Sequence, residues 1–89
     1  MPTISMFYGV IIYMYFFDNK KHNQPHIHAE YAEHAAVFSI TDGALIDGSL
    51  PNKQLKLVQA WISIHEEELA ADWKLAIQGQ ALFRIDPLK

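Results

Sequence analysis

Apolar residues fall into short runs separated by turn residues along the first half of the chain. These runs are rich in Ile, Val, Tyr and Phe, a composition typical of β-strands. They meet at Tyr8-Gly9, Ala32-Glu33 and Asp42-Gly43, and such short breaks predict tight turns between antiparallel strands. The predicted strands span residues 3–7, 10–17, 26–31, 34–41 and 44–50. We therefore expect an antiparallel β-meander of about five strands.

The spacing of apolar residues becomes helical after Pro51, a residue suited to a first helical turn. Two apolar rows indicate a helix that buries a wide face, namely Leu55, Val58 and Ile62, and Leu57, Trp61 and Ile64. A second helix fits residues 66–78, with acidic residues in its first turn and Gly79 at its end. Residues 82–87 alternate briefly and suggest a short C-terminal strand. Together these elements predict an α+β fold with both helices on one face of the sheet.

Length and composition narrow the class of protein. A chain of 89 residues that is 51% hydrophobic predicts a single domain over residues 1–89. The absence of cysteine favours a reducing compartment and excludes a thiolate metal site. A net charge of -3 with seven Lys and Arg argues against a broad nucleic-acid-binding face, although Lys20-Lys21 leaves a local phosphate contact open.

The most apolar stretch, residues 6–17, is shorter than the roughly 20 residues that span a bilayer, and Gly9 interrupts it. A secretory signal would need a positively charged start and a small-residue cleavage site, and neither precedes Lys20. We therefore expect a cytoplasmic protein with no membrane association. Because residues 10–17 are apolar at both alternating sets of positions, we expect them inside the sheet or in a homodimer interface.

The concentrated chemistry of the chain is a histidine cluster where a polar loop enters the third strand. Side chains alternate along a strand, so His26, His28 and Glu30 are expected on one face and the residues between them in the core. If Ala32-Glu33 is a two-residue turn, small residues lie opposite this face and leave room above the histidines. His22 precedes His26 by four residues and could fold back over the same face.

Three interpretations of this cluster remain open. In the first, the metal ligands are His22, His26 and His28, with Glu30 as a fourth ligand, an outer partner or a base, and the ion is zinc or a similar divalent metal. In the second, His26 and His28 act as a general base and a general acid in phosphodiester cleavage, and phosphate charge is stabilised by Lys20, Lys21 or Arg84. In the third, the histidines are hydrogen-bonded strand residues without a ligand.

The cluster contains the tetrapeptide Pro25-His26-Ile27-His28, which resembles the Pro-His-Phe-His hallmark of a small prokaryotic family, domain of unknown function 4160. The resemblance extends over nearly the whole chain, through residues 2–5, 7–9, 14–16, 28–31 and 50–51 and through Trp61, His65, Leu69 and Trp73. Two departures stand out, because Ile27 replaces the usual Phe and Gln24 replaces a common proline. The first changes an apolar contact on the opposite face, and the second affects how His22 is held.

The resemblance implies little about activity, because the family is known only as a domain. Similar proteins look like components of suspected toxin–antitoxin-type or other two-gene modules, which implies a protein partner encoded by a neighbouring gene and makes an action on RNA worth testing. The leading interpretation is a module component with its site at His22, His26, His28 and Glu30. The alternatives are a metal-binding protein or metal-dependent hydrolase on the same residues, and a non-catalytic protein–protein interaction module.

Overall fold

The computed structural model describes residues 3–15 and 24–89 of the chain. Within these ranges it contains five strands followed by two helices, which confirms the predicted α+β fold. The strands are β1 (Thr3–Phe7), β2 (Val10–Tyr13), β3 (His26–Tyr31), β4 (His34–Ser39) and β5 (Leu45–Gly48), and the helices are α1 (Asn52–Ile64) and α2 (Glu66–Ile77). None of the helices in this described part is long and apolar enough to cross a membrane.

The five strands form one sheet in the order β1-β2-β3-β4-β5, and each pairs antiparallel with its neighbour in sequence. The register between β3 and β4 is the one that a two-residue turn at Ala32-Glu33 predicts. The opposed pairs are His26 with Ser39, His28 with Val37, and Glu30 with Ala35. Because side chains alternate along a strand, this register decides which residues share a face.

One face of the sheet, the inner face, packs against both helices and holds the core. The core residues that β1 to β4 contribute are apolar and almost fully buried, as are the helix residues that cover them, whereas β5 has no buried residue. The larger members of this core are Ile4, Ile12, Met14, Ile27, Phe38, Ile40, Val58, Trp61, Ile62 and Leu69. Trp61 packs its indole against the Phe7 ring at a centroid distance of 5.3 Å, which joins α1 to the sheet. The helical periodicity of the sequence therefore identified Val58, Trp61 and Ile62 correctly, but Ile64 at the end of the predicted row is 65% exposed and Gln54 is buried instead.

The turn between β4 and β5 is stabilised by Asp42. Its Oδ1 atom accepts a hydrogen bond from the Ala44 N–H at 3.0 Å, and the Gly43 N–H donates to the Ser39 carbonyl at 2.9 Å. The Ala44 N–H, followed by a side-chain hydrogen bond with Ser39, lowers the pKa of Asp42 below its ordinary value. β4 ends at Ser39, two residues before the predicted boundary, because the Ser39 N–H already bonds across the turn to the Ala44 carbonyl.

The C-terminal tail, residues 80–89, is described throughout and forms neither a helix nor the short strand that its alternation suggested. It makes one strand-like hydrogen bond, from the Ile85 N–H to the Ile4 carbonyl of β1 at 2.8 Å. The Phe83 N–H donates instead to the Asp72 carboxyl at 3.0 Å. A continuous ladder therefore does not form, and the tail contacts the edge strand β1 without adding a strand to the sheet.

Candidate functional site

His26, the first residue of β3, is fully buried. Its Nδ1 atom lies 2.7 Å from the Gln24 carbonyl oxygen. A carbonyl can only accept, so Nδ1 carries the proton and donates it, and in the neutral ring the lone pair is on Nε2. This arrangement orients the imidazole as the outer partners of metal-bound or catalytic histidines usually do.

The His26 ring packs between two other rings. The His28 ring lies 5.1 Å away, centroid to centroid, at an angle of 69°, and the Trp73 ring of α2 lies 5.1 Å away at 58°. His26 therefore contacts both the outer face of the sheet and the helix layer, where strand alternation alone predicted the outer face. With no exposed surface, its ring is placed to support its neighbours.

His28 lies two residues further along β3 and is half-buried. It stands opposite Tyr13 of β2 and Val37 of β4. The imidazole is nearly parallel to the Tyr13 ring, at 5.6 Å and 3°, and to the Tyr15 ring, at 4.4 Å and 10°. Three almost parallel rings thus stand together on the outer face, and we call Tyr13, Tyr15 and His28 the aromatic cluster.

Glu30 is exposed at the other end of β3 and is linked to the aromatic cluster by a hydrogen bond. The Tyr13 hydroxyl donates to Glu30 Oε2 at 2.6 Å. Burial of the Tyr13 hydroxyl, its bond to Glu30 and the negative charge of Glu30 together raise the pKa of Tyr13 above its ordinary value. The Tyr13 hydroxyl therefore stays protonated at neutral pH, and its hydrogen bond fixes the position of the Glu30 carboxylate.

A shallow groove of about 170 Å³ opens beside His28 on the outer face. Its walls are Tyr13, His28 and Asp47, and its floor is made of small residues. Gly48 is one of these small residues, and the position requires glycine because a Cβ atom there would lie 2.1 Å from the Ala35 carbonyl oxygen. The predicted room beside the histidines is therefore present next to His28, whereas His26 is enclosed.

Several predicted site residues are not part of this arrangement. His22, Lys20 and Lys21 lie outside the described residues, so the predictions that involve them stay predictions. Within residues 3–15 and 24–89, no group of three or more His, Cys, Asp or Glu side chains is arranged to hold a metal ion. Arg84 lies exposed in the C-terminal tail. The structure brings together His26, His28 and, through Tyr13, Glu30.

The comparison with known families gives a match to the family described as a domain of unknown function (DUF4160), over residues 9–74. The chain belongs to this family. The match covers more than half of the chain and includes β2 to β5, the aromatic cluster and the Pro25-His26-Ile27-His28 signature. No curated protein and no solved structure matches the chain.

The signature of the DUF4160 family can now be related to the two faces of the sheet. Ile27, where the sequence departs from the Pro-His-Phe-His pattern that it resembles, is fully buried on the inner face and opposes Phe38 of β4. The substitution therefore changes the core and leaves both histidines in place. The tetrapeptide Pro25-His26-Ile27-His28 therefore places one core residue between the two histidines.

Sequence reasoning missed Tyr13, Tyr15 and Asp47 as neighbours of the histidines. The alternation of β2 showed that Tyr13 and Tyr15 share a face, but the residue opposite Tyr13 depends on the register with β3. That register is set across a connection from residue 14 to residue 25, and no turn motif defines it. Asp47 lies opposite Val37 and is brought to the groove by a β-bulge in the pairing of β4 with β5.

Proposed function

We propose that this protein acts on RNA through a proton-transfer pair, His28 and Glu30, as one component of a toxin–antitoxin-type two-gene module in the cytoplasm. The observation that carries the proposal is their position on β3, two residues apart on one face and held by Tyr13. Strand geometry puts their Cα atoms roughly 7 Å apart, a spacing that lets two side chains reach opposite sides of one phosphodiester.

The proposed reaction is transesterification at phosphorus. Glu30 takes the proton of the ribose 2′-hydroxyl, the 2′-oxygen bonds to phosphorus, and the bond to the 5′-oxygen breaks. His28, in its protonated form, gives its proton to the departing 5′-oxygen. His26 has a buried ring that packs on His28, so we assign it the role of positioning that imidazole. No metal ion is needed for these proton transfers.

Substrate affinity is assigned to stacking and to a local positive charge. The aromatic cluster offers ring faces of the kind on which single-stranded bases stack. Glu30 and Asp47 repel phosphate, so a compensating cation is required near the backbone. Lys20 and Lys21 belong to the segment that joins Tyr15 to Gln24, and they are the proposed phosphate contacts.

The test incubates total RNA with purified wild-type protein and with four variants. His34→Ala is the control for the loss of a histidine at His28→Ala. We expect wild type to cleave RNA, and His28→Ala and Glu30→Gln each to reduce the rate by about 10²-fold or more. His34→Ala, which removes a histidine next to the turn between β3 and β4, is expected to cleave like wild type. Lys20→Ala/Lys21→Ala should weaken binding. Equal cleavage by His28→Ala, or no cleavage by wild type, would rule out catalysis at this cluster.

The module assignment makes a separate prediction in cells. Expression of the wild-type chain should inhibit growth, and co-expression of the protein encoded by the neighbouring gene should relieve the inhibition. If inhibition persists in His28→Ala and Glu30→Gln, a non-catalytic interaction module becomes the better account. Met6 and Ile11 are exposed apolar residues that oppose each other on β1 and β2, and they would be the first surface to examine.

A metal site is the second candidate, and one observation favours it. The Nδ1–H bond of His26 to the Gln24 carbonyl orients the ring in the way that partners of metal-bound histidines do, and the His28 ring lies 5.1 Å away. His22 would be the third ligand, and Glu30 would serve as an outer partner or base. Elemental analysis of untagged protein should then find about one zinc or similar ion per chain. His28→Ala should remove this metal, and His34→Ala should retain it; substoichiometric metal that is unchanged in His28→Ala would contradict the site.

A further inference from the structure

The C-terminal tail is attached to the rest of the protein by isolated contacts. Gln80 bonds back to the end of α2, through its N–H to the Leu75 carbonyl at 2.9 Å. Beyond it, the described residues give three hydrogen bonds, from the Phe83 N–H to Asp72 Oδ1 at 3.0 Å, from the Ile85 N–H to the Ile4 carbonyl at 2.8 Å, and from the Trp61 indole N–H to the Asp86 carbonyl at 2.8 Å. Ile85 is buried beneath the tail as part of the core. Because residues 80–89 belong to no helix or strand, they can detach without breaking any regular element.

Asp72 is the energetically unfavourable member of these contacts. The side chain is only 1% exposed, although it carries a carboxyl group. Oδ1 accepts the Phe83 N–H, whereas Oδ2 is buried and has no hydrogen-bond partner among the residues that the structure describes. A buried carboxylate with an unsatisfied oxygen is costly, and the neutral acid is much less so.

Opposing effects act on the ionisation of Asp72. Burial disfavours the carboxylate and is the largest effect, the Phe83 N–H favours it, and the charge of Glu68, one turn earlier on α2, disfavours it. Burial prevails, so the pKa of Asp72 is raised above its ordinary value. The other charged groups of α2 are Glu66, Glu67 and Lys74, and those of the tail next to Phe83 are Arg84 and Asp86; all five are exposed. The described strand β1 has no titratable side chain.

We propose that Asp72 is a proton-dependent clasp for the tail. Neutral Asp72 keeps Phe83 in place, whereas ionised Asp72 favours detachment of residues 82–86, because detachment lets water reach the carboxylate. Release withdraws Ile85 from Ile4 and uncovers the outer edge of β1, an edge on which another strand can pair. This device is independent of the chemistry proposed for His28 and Glu30.

The direction of the pH effect follows from linkage. A carboxyl group whose pKa is raised in the closed state stabilises that state fully below its ordinary value of 3.8. The stabilisation is lost as the pH rises through the raised value. For each unit by which the pKa is raised, the equilibrium constant for opening increases by up to about tenfold.

The test is amide hydrogen exchange by NMR over a pH range that brackets the titration of Asp72. We expect the protection factors of the Phe83 and Ile85 amides and of the Trp61 indole N–H to fall together as the pH rises. The Leu69 amide, which bonds to His65 within the helical layer, should keep its protection. Asp72→Asn is neutral at every pH and retains an acceptor for Phe83, so its tail should show no pH dependence.

Asp86→Asn is the matched control, because it removes an exposed acid from the tail itself and should behave like wild type. Constant protection of Phe83 and Ile85 in wild type would overturn the proposal, as would an undiminished pH dependence in Asp72→Asn. If Asp72→Asn does not fold, the carboxyl carbon of Asp72 can be titrated in the wild-type protein. Its midpoint should coincide with the loss of protection in the tail, and a separate midpoint would contradict the clasp.

Discussion

The two faces of the sheet are built from the same strands but organise their side chains differently. The inner face is apolar, and Ile12, Ile27 and Phe38 on it have no exposed surface. The outer face instead joins an aromatic cluster to a carboxylate, through the stacked rings of Tyr13 and His28 and the hydrogen bond from Tyr13 to Glu30. The comparison teaches that alternate residues of β3 serve different purposes, with stability on one side and candidate chemistry on the other.

The largest expected effect is on the inner face. Phe38→Ala removes a fully buried ring and leaves a cavity beneath the helices, so we expect the free energy of unfolding to fall by about 3–5 kcal/mol. Urea denaturation measures this change. Phe83→Ala is the matched control because its ring is 72% exposed, and it should change the free energy by less than about 0.5 kcal/mol. Similar losses for both variants would break the distinction between buried and exposed rings.

Gly48 is an expected exception to this division between the faces. It lies beside the groove on the outer face, yet we expect the fold to depend on it. Its φ is +75°, and a Cβ would meet backbone atoms of Ala35 and Ala36 at 2.1 and 2.9 Å. We expect Gly48→Ala to cost about 3 kcal/mol or more, since backbone strain and the clash add. Gly79→Ala has a similar φ of +71° without a nearby atom, and it should cost only about 1–2 kcal/mol. Equal losses in thermal denaturation would show that the clash relaxes.

Tyr13→Phe probes the outer face with a smaller change. It removes the donor to Glu30 but keeps the ring that stacks with His28, so we expect a loss of about 1 kcal/mol at neutral pH. The pKa of Tyr13 is raised, so its bond stabilises the fold fully below the ordinary value of 10.0 and the stabilisation is lost at higher pH. The difference between wild type and Tyr13→Phe in urea denaturation should therefore shrink under alkaline conditions. A difference that stays constant with pH would contradict this assignment.

The smallest effect is expected at Asp42, in the exposed turn between β4 and β5. The Ala44 N–H lowers the pKa of this carboxyl, so Asp42 stabilises the turn above its ordinary value of 3.8 and the stabilisation is lost as the pH falls below it. Asp42→Asn should be slightly less stable than wild type at neutral pH and equal to it in acid. Asp47→Asn removes a negative charge from another exposed position in the same hairpin, so it serves as the control for the change in charge. If the difference in stability between wild type and Asp42→Asn increased in acid, the result would contradict the prediction.

Local sequence signals account for the fold better than for the site. The turn pairs and the helical spacing predicted the meander, the register of β3 with β4 and the buried row that contains Val58 and Ile62. Alternation also separated Ile27 from the histidines. Two features depended on tertiary packing and were not predictable: the contact of Trp73 with His26, and the stacking of Tyr13 on His28. Both join residues across long sequence separations that no local motif constrains.

The C-terminal tail shows the same limit. Its alternating residues suggested a strand, but alternation does not reveal that the Phe83 N–H is bonded to a buried carboxyl group on α2. A single competing hydrogen bond is enough to replace a ladder when the segment is short. Competition of this kind depends on where Asp72 lies in the fold, which the sequence of the tail does not contain.

The most direct test of the central claim measures stability and RNA cleavage on one variant, Glu30→Gln. The amide keeps the size of the side chain and can still accept the Tyr13 hydroxyl, so the free energy of unfolding should change by less than about 0.5 kcal/mol. RNA cleavage should nevertheless fall by about 10²-fold or more, because the proposed base is lost. Cleavage that persists in a stable Glu30→Gln protein, or that falls only in step with its stability, would contradict the division of roles between the two faces.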